Sequence, residues 1–253
     1  MQFPFNIHIG KTEISTHLVT ELLAFFIGYR YYSYLRKKNK DSISDLQRLF
    51  IIAGAAGGAL IGSRLLALTE DPRLFMGAAN KVFFIFGNKT VVGGMLGGLI
   101  GVELVKKLIK VKTSSGDMMT YPIILALIIG RIGCFAEGLK ETTYGKATSL
   151  FTGIDFGDGI KRHPLQLYEI FVLICIWIMI RAGEKKFSYE DGTKFKLFMA
   201  FYLLQRFCFE FIKPNPFLIA GFSSIQLACF AGMLYYWKVF VKPFELIKKR
   251  NYA

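Results

Sequence analysis

Residues 128–138, "IIGRIGCFAEG", set an arginine and a glutamate into what otherwise reads as the middle of an apolar helix. A charged side chain at the centre of a bilayer costs at least about 2.5–3.5 kcal/mol, so Arg131 and Glu137 have to face a bundle interior, a wet cavity or the membrane surface. The surrounding composition makes a bilayer the natural solvent. Of the 253 residues 53% are hydrophobic, 25 are phenylalanine and the mean hydropathy is +0.40, which suits lipid-solvated helices better than one water-soluble core. Seven windows, roughly 14–35, 49–68, 91–109, 118–138, 165–182, 195–212 and 221–241, are apolar over a length able to cross about 30 Å of hydrocarbon. The pattern predicts an all-α membrane protein, a single polytopic domain over residues 1–253 with seven transmembrane helices.

The net charge of +14 does not point to nucleic acid, because the basic residues cluster at span ends and no soluble domain presents a basic face. They report topology instead. "RKKNK" follows the first span and "KKLIKVK" the third, while Arg181, Lys185, Lys186, Lys194 and Lys196 surround the fifth loop and "KKR" lies near the end of the chain. The alternate loops are poorer, with Lys11 before the first span, Arg73, Lys81 and Lys89 after the second, and Lys213 after the sixth. The positive-inside rule therefore predicts an N-terminus outside and a C-terminus in the cytoplasm; the loop holding Lys140, Lys146, Lys161 and Arg162 is the exception. The opening "MQFPFNIHIGK" has no basic start, long apolar run or small-residue cleavage site, so it reads as an interfacial segment rather than a removable signal. Cys134, Cys175, Cys208 and Cys229 lie within spans without CxxC spacing, which argues against a disulfide framework and a zinc site and predicts buried thiols.

Two long connections, about 69–90 and 139–164, fall on the outer side. Residues 142–164, "TTYGKATSLFTGIDFGDGIKRHP", place β-branched residues around a Gly-Asp-Gly turn and predict a small outer hairpin. Loops of this length often act as lids or substrate contacts. Gly54, Gly58 and Gly62 in the second span and Gly93, Gly97 and Gly101 in the third recur every four residues, the spacing that lets helix backbones approach closely. Gly93 and Gly94, at the outer end of the third span, could also leave room for a lipid head group.

Spans of alternating direction place His17 and Glu21, Arg64, Arg131 and Glu137, Glu169, and Arg206 and Glu210 all in outer halves, although they come from five different spans. Toward the other ends lie Arg30, Glu103, Lys106, Lys107 and Asp117, most of which snorkelling explains. The convergence marks a candidate site. Arg64, Arg131 and Arg206 could line a pocket for an anionic group, since guanidinium binds phosphate through two parallel hydrogen bonds; internal pairing, as of Arg206 with Glu210 four residues on, is the structural alternative. His17 and Glu21 share a helix face, and a carboxylate beside an imidazole raises its basicity, which suits removing a proton from a thiol or alcohol. In "RHPLQLYE", Pro164 fits a first helical turn, so that His163, Gln166, Tyr168 and Glu169 enter the fifth span from outside.

These residues, as an ordered series over most of the chain, resemble the bacterial phosphatidylglycerol:prolipoprotein diacylglyceryl transferases. "GALIGSR" with Arg64 looks like that family's glycine-and-arginine segment, "VVGGMLGGLIG" like its His-Gly-Gly segment, and "GRIGCF" like its Gly-Arg-x-Gly-Asn-Phe signature, with Gly145 matching the glycine that closes it. "RHPLQLYE" is similar to Arg-His-Pro-x-Gln-Leu-Tyr-Glu, and "QRFCFEFIK" to the late Arg-x-x-x-Glu segment. The resemblance implies transfer of a diacylglyceryl group from phosphatidylglycerol, or another anionic phospholipid, to the lipobox cysteine beside a prolipoprotein signal peptide. It places this chemistry at the outer face of the bacterial inner membrane, with no metal or redox cofactor. Arg131 and Arg206 match functional arginines and would hold the donor phosphate. Two positions depart from the pattern: Val92 stands for the histidine and Cys134 for the asparagine. The first-span tyrosine also has no counterpart, whereas His17 and Glu21 occupy that region, so span one is expected to supply the base that span three lacks. A lipid-binding protein that keeps the fold without catalysis is the rival reading. A transporter fits less well, because charges confined to one leaflet give no path across.

Overall fold

The computed structural model describes residues 3–9, 12–39, 41–214 and 219–249. Lys11, Lys40 and Arg250, which contribute to the charge pattern, lie outside the described residues. A hairpin of β1 (Asn6–Ile9) and β2 (Thr12–Ser15) leads into α1 (Thr16–Lys38), then α2 (Asp45–Glu70), the short α3 (Pro72–Gly77) and α4 (Lys81–Gly87), α5 (Val91–Leu108) and α6 (Asp117–Glu137). The loop after α6 holds the paired β3 (Ile154–Asp155) and β4 (Lys161–Arg162), followed by α7 (Leu165–Lys186), β5 (Phe187–Tyr189), α8 (Thr193–Phe209), α9 (Ser224–Tyr235), α10 (Trp237–Val241) and β6 (Ile247–Lys249), which pairs with β5.

The chain is mostly helical, with three helices among the described residues long and apolar enough to cross a membrane: α2, α6 with its 3-10 extension to Lys140, and α7. The bent pair α4–α5, with 85° between its arms, makes a fourth if counted as one span. The predicted window 221–241 is divided, because α9 is only 12 residues long and α10 restarts beyond Tyr236. Nothing in the structure explains the break. Side chains such as Phe25, Phe26, Leu65, Phe171 and Ile178 are exposed, the arrangement of helices whose outer faces meet lipid rather than water. Cys134 and Cys229 are buried as predicted, but Cys175 and Cys208 are exposed, because they fall on outward helix faces.

Local chemistry sets the helix starts. Ser44 with Gln47 and Ser223 with Gln226 form capping boxes for α2 and α9, and Thr90 accepts from the Gly93 amide to open α5. The N-terminus of α8 is capped from another helix: Asp117 accepts from the amides of Gly192 (2.8 Å) and Phe195 (3.1 Å). At the loop between α1 and α2, Arg48 grips Asp41 with two bonds, Nη2 to Oδ1 at 2.7 Å and Nε to Oδ2 at 3.0 Å, while its Nη1 donates to the Ser115 carbonyl (3.0 Å). Burial pushes the Asp41 carboxyl up, but the Arg48 bond, the Ile43 amide and Arg36 together hold it below the ordinary carboxylate value. A depressed native pKa contributes stability above the unfolded value and loses it as pH falls through the native one. Acid unfolding of the wild type is therefore expected to steepen below about pH 4, whereas Asp41→Asn should be less stable at pH 7 and lack that component, as read by thermal midpoint against pH.

The closest helix contact is between α2 and α5, where the glycine ladders mesh. A Cβ on Gly58 would run into the Gly97 carbonyl oxygen, one on Gly62 into that of Gly93, and one on Gly101 into that of Gly54. The obstacle is main chain, which cannot swing aside. Gly58→Leu should cost at least about 1–3 kcal/mol through overpacking, visible as a lowered thermal midpoint in detergent. Gly57→Leu, which meets nothing within 4 Å, should be nearly neutral.

The hairpin predicted within 142–164 is present, with Ile154 opposite Arg162 and Asp155 opposite Lys161. Its turn uses Gly157 and Gly159 at φ of +110° and +81°, and Asp155 Oδ1 accepts from the amides of Gly157, Asp158 and Gly159. The N-terminal segment, read as interfacial, forms a hairpin whose start docks on the end of α6. The Phe5 amide donates to the Ala136 carbonyl (2.8 Å), and Phe3 packs on Phe135 and Phe156 over Gly138.

Candidate functional site

Helix direction decides which residues meet. Arg131 and Cys134 stand near the C-terminal end of α6, Glu169 near the start of α7, Arg206 near the end of α8 with Glu210 capping it, and Ser223 caps the start of α9. Four helix ends thus converge. The dipoles favour the carboxylate at the N-terminus of α7 and the guanidinium groups toward the C-termini of α6 and α8, whereas Glu210, at the C-terminus of α8, is held against its helix dipole by Arg206.

The result is a buried chain of charge. Arg131 Nε lies 2.5 Å from Glu169 Oε2, Arg206 Nη1 2.5 Å from Glu169 Oε1, and Arg206 Nη2 2.5 Å from Glu210 Oε1; Ser223 Oγ donates to Glu210 Oε2 at 3.4 Å. The Arg131 contact is one of charge, without an aligned hydrogen bond to that oxygen, whereas the Arg206 contacts are charge-assisted hydrogen bonds. All four residues are below 9% exposed. Two positive and two negative groups balance, so the centre is neutral rather than positive as the three-arginine pocket implies, and the predicted Arg206–Glu210 pair is part of it. Not all donors are consumed. Arg206 Nε is buried without a hydrogen bond, and Arg131 Nη1 reaches only Cys134 Sγ, at 3.9 Å. Arg64 forms no hydrogen bond or ion pair with the quartet among the described residues: its Nη1 donates to Ser63 Oγ (3.2 Å), and its Nε is buried unpartnered.

A second group adjoins it through α1. His17 Nε2 is 3.8 Å from Glu21 Oε2 and 3.7 Å from Glu141 Oε1, Glu21 pairs with Lys89 ahead of α5, and Glu137 accepts from the Ser15 hydroxyl. A Cβ on Gly133, two residues beyond Arg131, would meet the main chain of His17 at 3.1 Å, so α1 and α6 pack tightly here. His17 Nδ1 is buried without a partner.

A third group secures the loop between α6 and α7 on the start of α7. Tyr168 Oη bonds Thr152 Oγ1 (2.6 Å) and His163 Nδ1 (3.3 Å), Gln166 Nε2 donates to Thr143 Oγ1 (3.0 Å), and the Gly145 amide donates to the His163 carbonyl (2.8 Å). A Cβ on Gly145 would strike His163 Cβ at 2.6 Å. Gly93 needs correction as a place for a head group: α2 fills that side, with the Gly62 carbonyl where a Cβ would go, while Gly94 has ordinary contact room against Ser63 (3.7 Å). Val92 is 1% exposed in the apolar core, so no polar side chain enters from that turn of α5.

Sequence reasoning missed Glu141, Thr143, Tyr202 and Gln205. Tyr202 is wholly buried beside Arg131, Glu169 and Arg206, with its hydroxyl unpartnered, and both polar atoms of the Gln205 amide are also unpartnered. The four-residue step from Tyr202 to Arg206 is a signal that both share one face of α8. Glu141 and Thr143 lie in a loop, where no periodicity exists to expose them.

Membrane-length helices around a buried guanidinium–carboxylate cluster define a helical membrane protein with an interior polar site. The chain belongs to the prolipoprotein diacylglyceryl transferase family, whose model matches residues 4–241. Among similar proteins, a phosphatidylglycerol–prolipoprotein diacylglyceryl transferase of Campylobacter jejuni is 30% identical over 240 residues, 90% of this chain and 86% of that protein. Proteins of the same description from Rickettsia akari and Rickettsia canadensis are 28% and 29% identical over 228 residues, 87% of this chain and 86% of each relative.

Proposed function

We propose that this protein transfers the diacylglyceryl group of phosphatidylglycerol to the lipobox cysteine of a prolipoprotein, in the outer leaflet of a bacterial inner membrane. The observation that carries the reading is the Arg131–Glu169–Arg206–Glu210 chain, which fixes two guanidinium groups yet leaves buried donors unspent. Family membership and the names of its relatives support the same substrates. The bundle is read as seven spans, with the N-terminus outside and the C-terminus in the cytoplasm. Supporting this, the polar end collects the starts of α1, α5, α7 and α9 and the ends of α2, α6 and α8.

In the reaction the acceptor sulfur attacks the glycerol carbon that carries the phosphate ester. A carbon–sulfur bond forms, the carbon–oxygen bond breaks, and glycerol phosphate leaves with the bond's electron pair. Arg131 and Arg206 stabilise charge gathering on the leaving phosphate, in a water-poor setting where fixed donors act most strongly. The thiol proton passes to His17, whose imidazole is held between Glu21 and Glu141. Gly145, His163, Gln166 and Tyr168 shape the outer wall beside Glu169, and Arg64, outside the neutral quartet, offers its guanidinium to the donor phosphate.

The test is the mass of a lipobox peptide incubated with the purified protein and phosphatidylglycerol. Gain of one diacylglyceryl group on the cysteine is the expected product. An unmodified peptide, together with failure to complement a transferase-depleted strain, would leave the lipid-binding reading in its place.

A further inference from the structure

At the end of the bundle remote from the arginine cluster, a cavity of about 750 Å³ lies between α5 and α9. Its walls are Leu96, Leu99, Ile100 and Leu104 on α5 and Ala231 and Tyr235 on α9, and its rim is Glu103, Lys106, Lys107 and Lys112. Ser223, bonded to Glu210, caps the start of α9. Tyr235, at the other end of that 12-residue helix, is therefore about 18 Å away along the axis. The groove thus lies toward the end of the bundle away from the arginine cluster.

We infer that this groove binds an anionic diacyl phospholipid of the cytoplasmic leaflet, as a site separate from that of the reacting lipid. The walls offer apolar surface along a helix seam, and the volume lies in the range that takes up a drug-sized apolar group, room for part of a lipid's chains while the rest runs along the helices. The rim offers charge of the complementary sign. Lys106 is largely enclosed, at 12% side-chain exposure, and has Glu103 at 3.4 Å, whereas Lys107 and Lys112 have no ion pair among the described residues. A turn in the chain sets the last of these in place. Lys110 takes a left-handed φ of +57°, and the Val111 amide returns to the Lys106 carbonyl (2.9 Å), so Val111 and Lys112 fold back over the cavity mouth instead of continuing away from it. A basic rim above a hydrocarbon-lined seam is the arrangement that holds an acidic head group with its chains alongside. The inference rests on the membrane orientation proposed above only for the name of the leaflet, and not on the transfer reaction.

The full chain in nonionic micelles is exposed to phosphatidylglycerol bearing a photoreactive group in one acyl chain, with phosphatidylcholine of identical chains as control, and labelled residues are mapped by peptide mass. Phosphatidylglycerol is expected to label residues 96–112 and 231–235 more strongly than phosphatidylcholine does. Lys107→Ala and Lys112→Ala should each reduce that labelling by about fivefold. Ala231→Trp, which fills the groove and leaves every charge in place, should reduce it as well, while labelling near Arg131 and transfer to peptide are retained. Equal labelling by phosphatidylcholine, or labelling that survives both the lysine and the tryptophan variants, overturns the inference. Labelling of the groove in a protein that modifies no peptide overturns only the transfer reading.

Discussion

Glu169→Ala is expected to leave the protein both inactive and markedly less stable. One carboxylate holds two buried guanidinium groups, each at 2.5 Å, and is itself 2% exposed. Removing it leaves Arg131 with no carboxylate within ion-pair distance and Arg206 with Glu210 alone among the described residues. Breaking a buried pair from one side costs about 3–5 kcal/mol, because the surviving charge keeps its desolvation penalty without its partner. The check is the thermal midpoint in detergent together with peptide modification. Arg131→Met combined with Glu169→Met, which deletes both partners and fills the space, should recover much of the stability and none of the activity. Wild-type stability in Glu169→Ala would mean that the cluster is wetter and looser than these distances imply.

His17→Ala is expected to lower the rate of peptide modification by about 10²–10⁴-fold, the range for loss of a general base, with little change in thermal midpoint. The imidazole is bracketed by Glu21 and Glu141 at 3.8 and 3.7 Å, and the family's histidine position is an apolar core residue, Val92. Glu21→Gln should reproduce part of the loss, since its carboxylate is one of the two that bracket the imidazole. The discriminating readout is kinetic: loss of the base should lower kcat and leave the KM for the peptide little changed. Full activity in both variants would send the search for a base to Tyr202, whose buried hydroxyl has no partner.

Much of the site was legible because depth in a membrane follows from position along a span. Counting inward from the span ends put His17, Arg131, Glu169, Arg206 and Glu210 at one level, and the structure has Arg131, Glu169, Arg206 and Glu210 in mutual contact with His17 on the adjoining helix. Arg64 shared their level but not their company, since level says nothing of the direction in which a side chain turns. The glycine ladders were readable from spacing alone, yet spacing could not tell that Gly93 faces the backbone of α2 and has no room to spare. Glu141 and Thr143 escaped notice because loop residues reach the site through tertiary path, and no sequence period records that.

The sequence by itself determined the apolar helices, the meshing of α2 with α5 and the gathering of ionisable groups at one end of the bundle, because hydrophobic length and residue spacing act within single helices or between regular pairs. Only the tertiary structure decided that Glu169 stands between two arginines and that the cluster is neutral. Those outcomes depend on how each helix is rotated about its own axis against several neighbours at once, a quantity set by packing of the whole bundle and carried by no local stretch of chain.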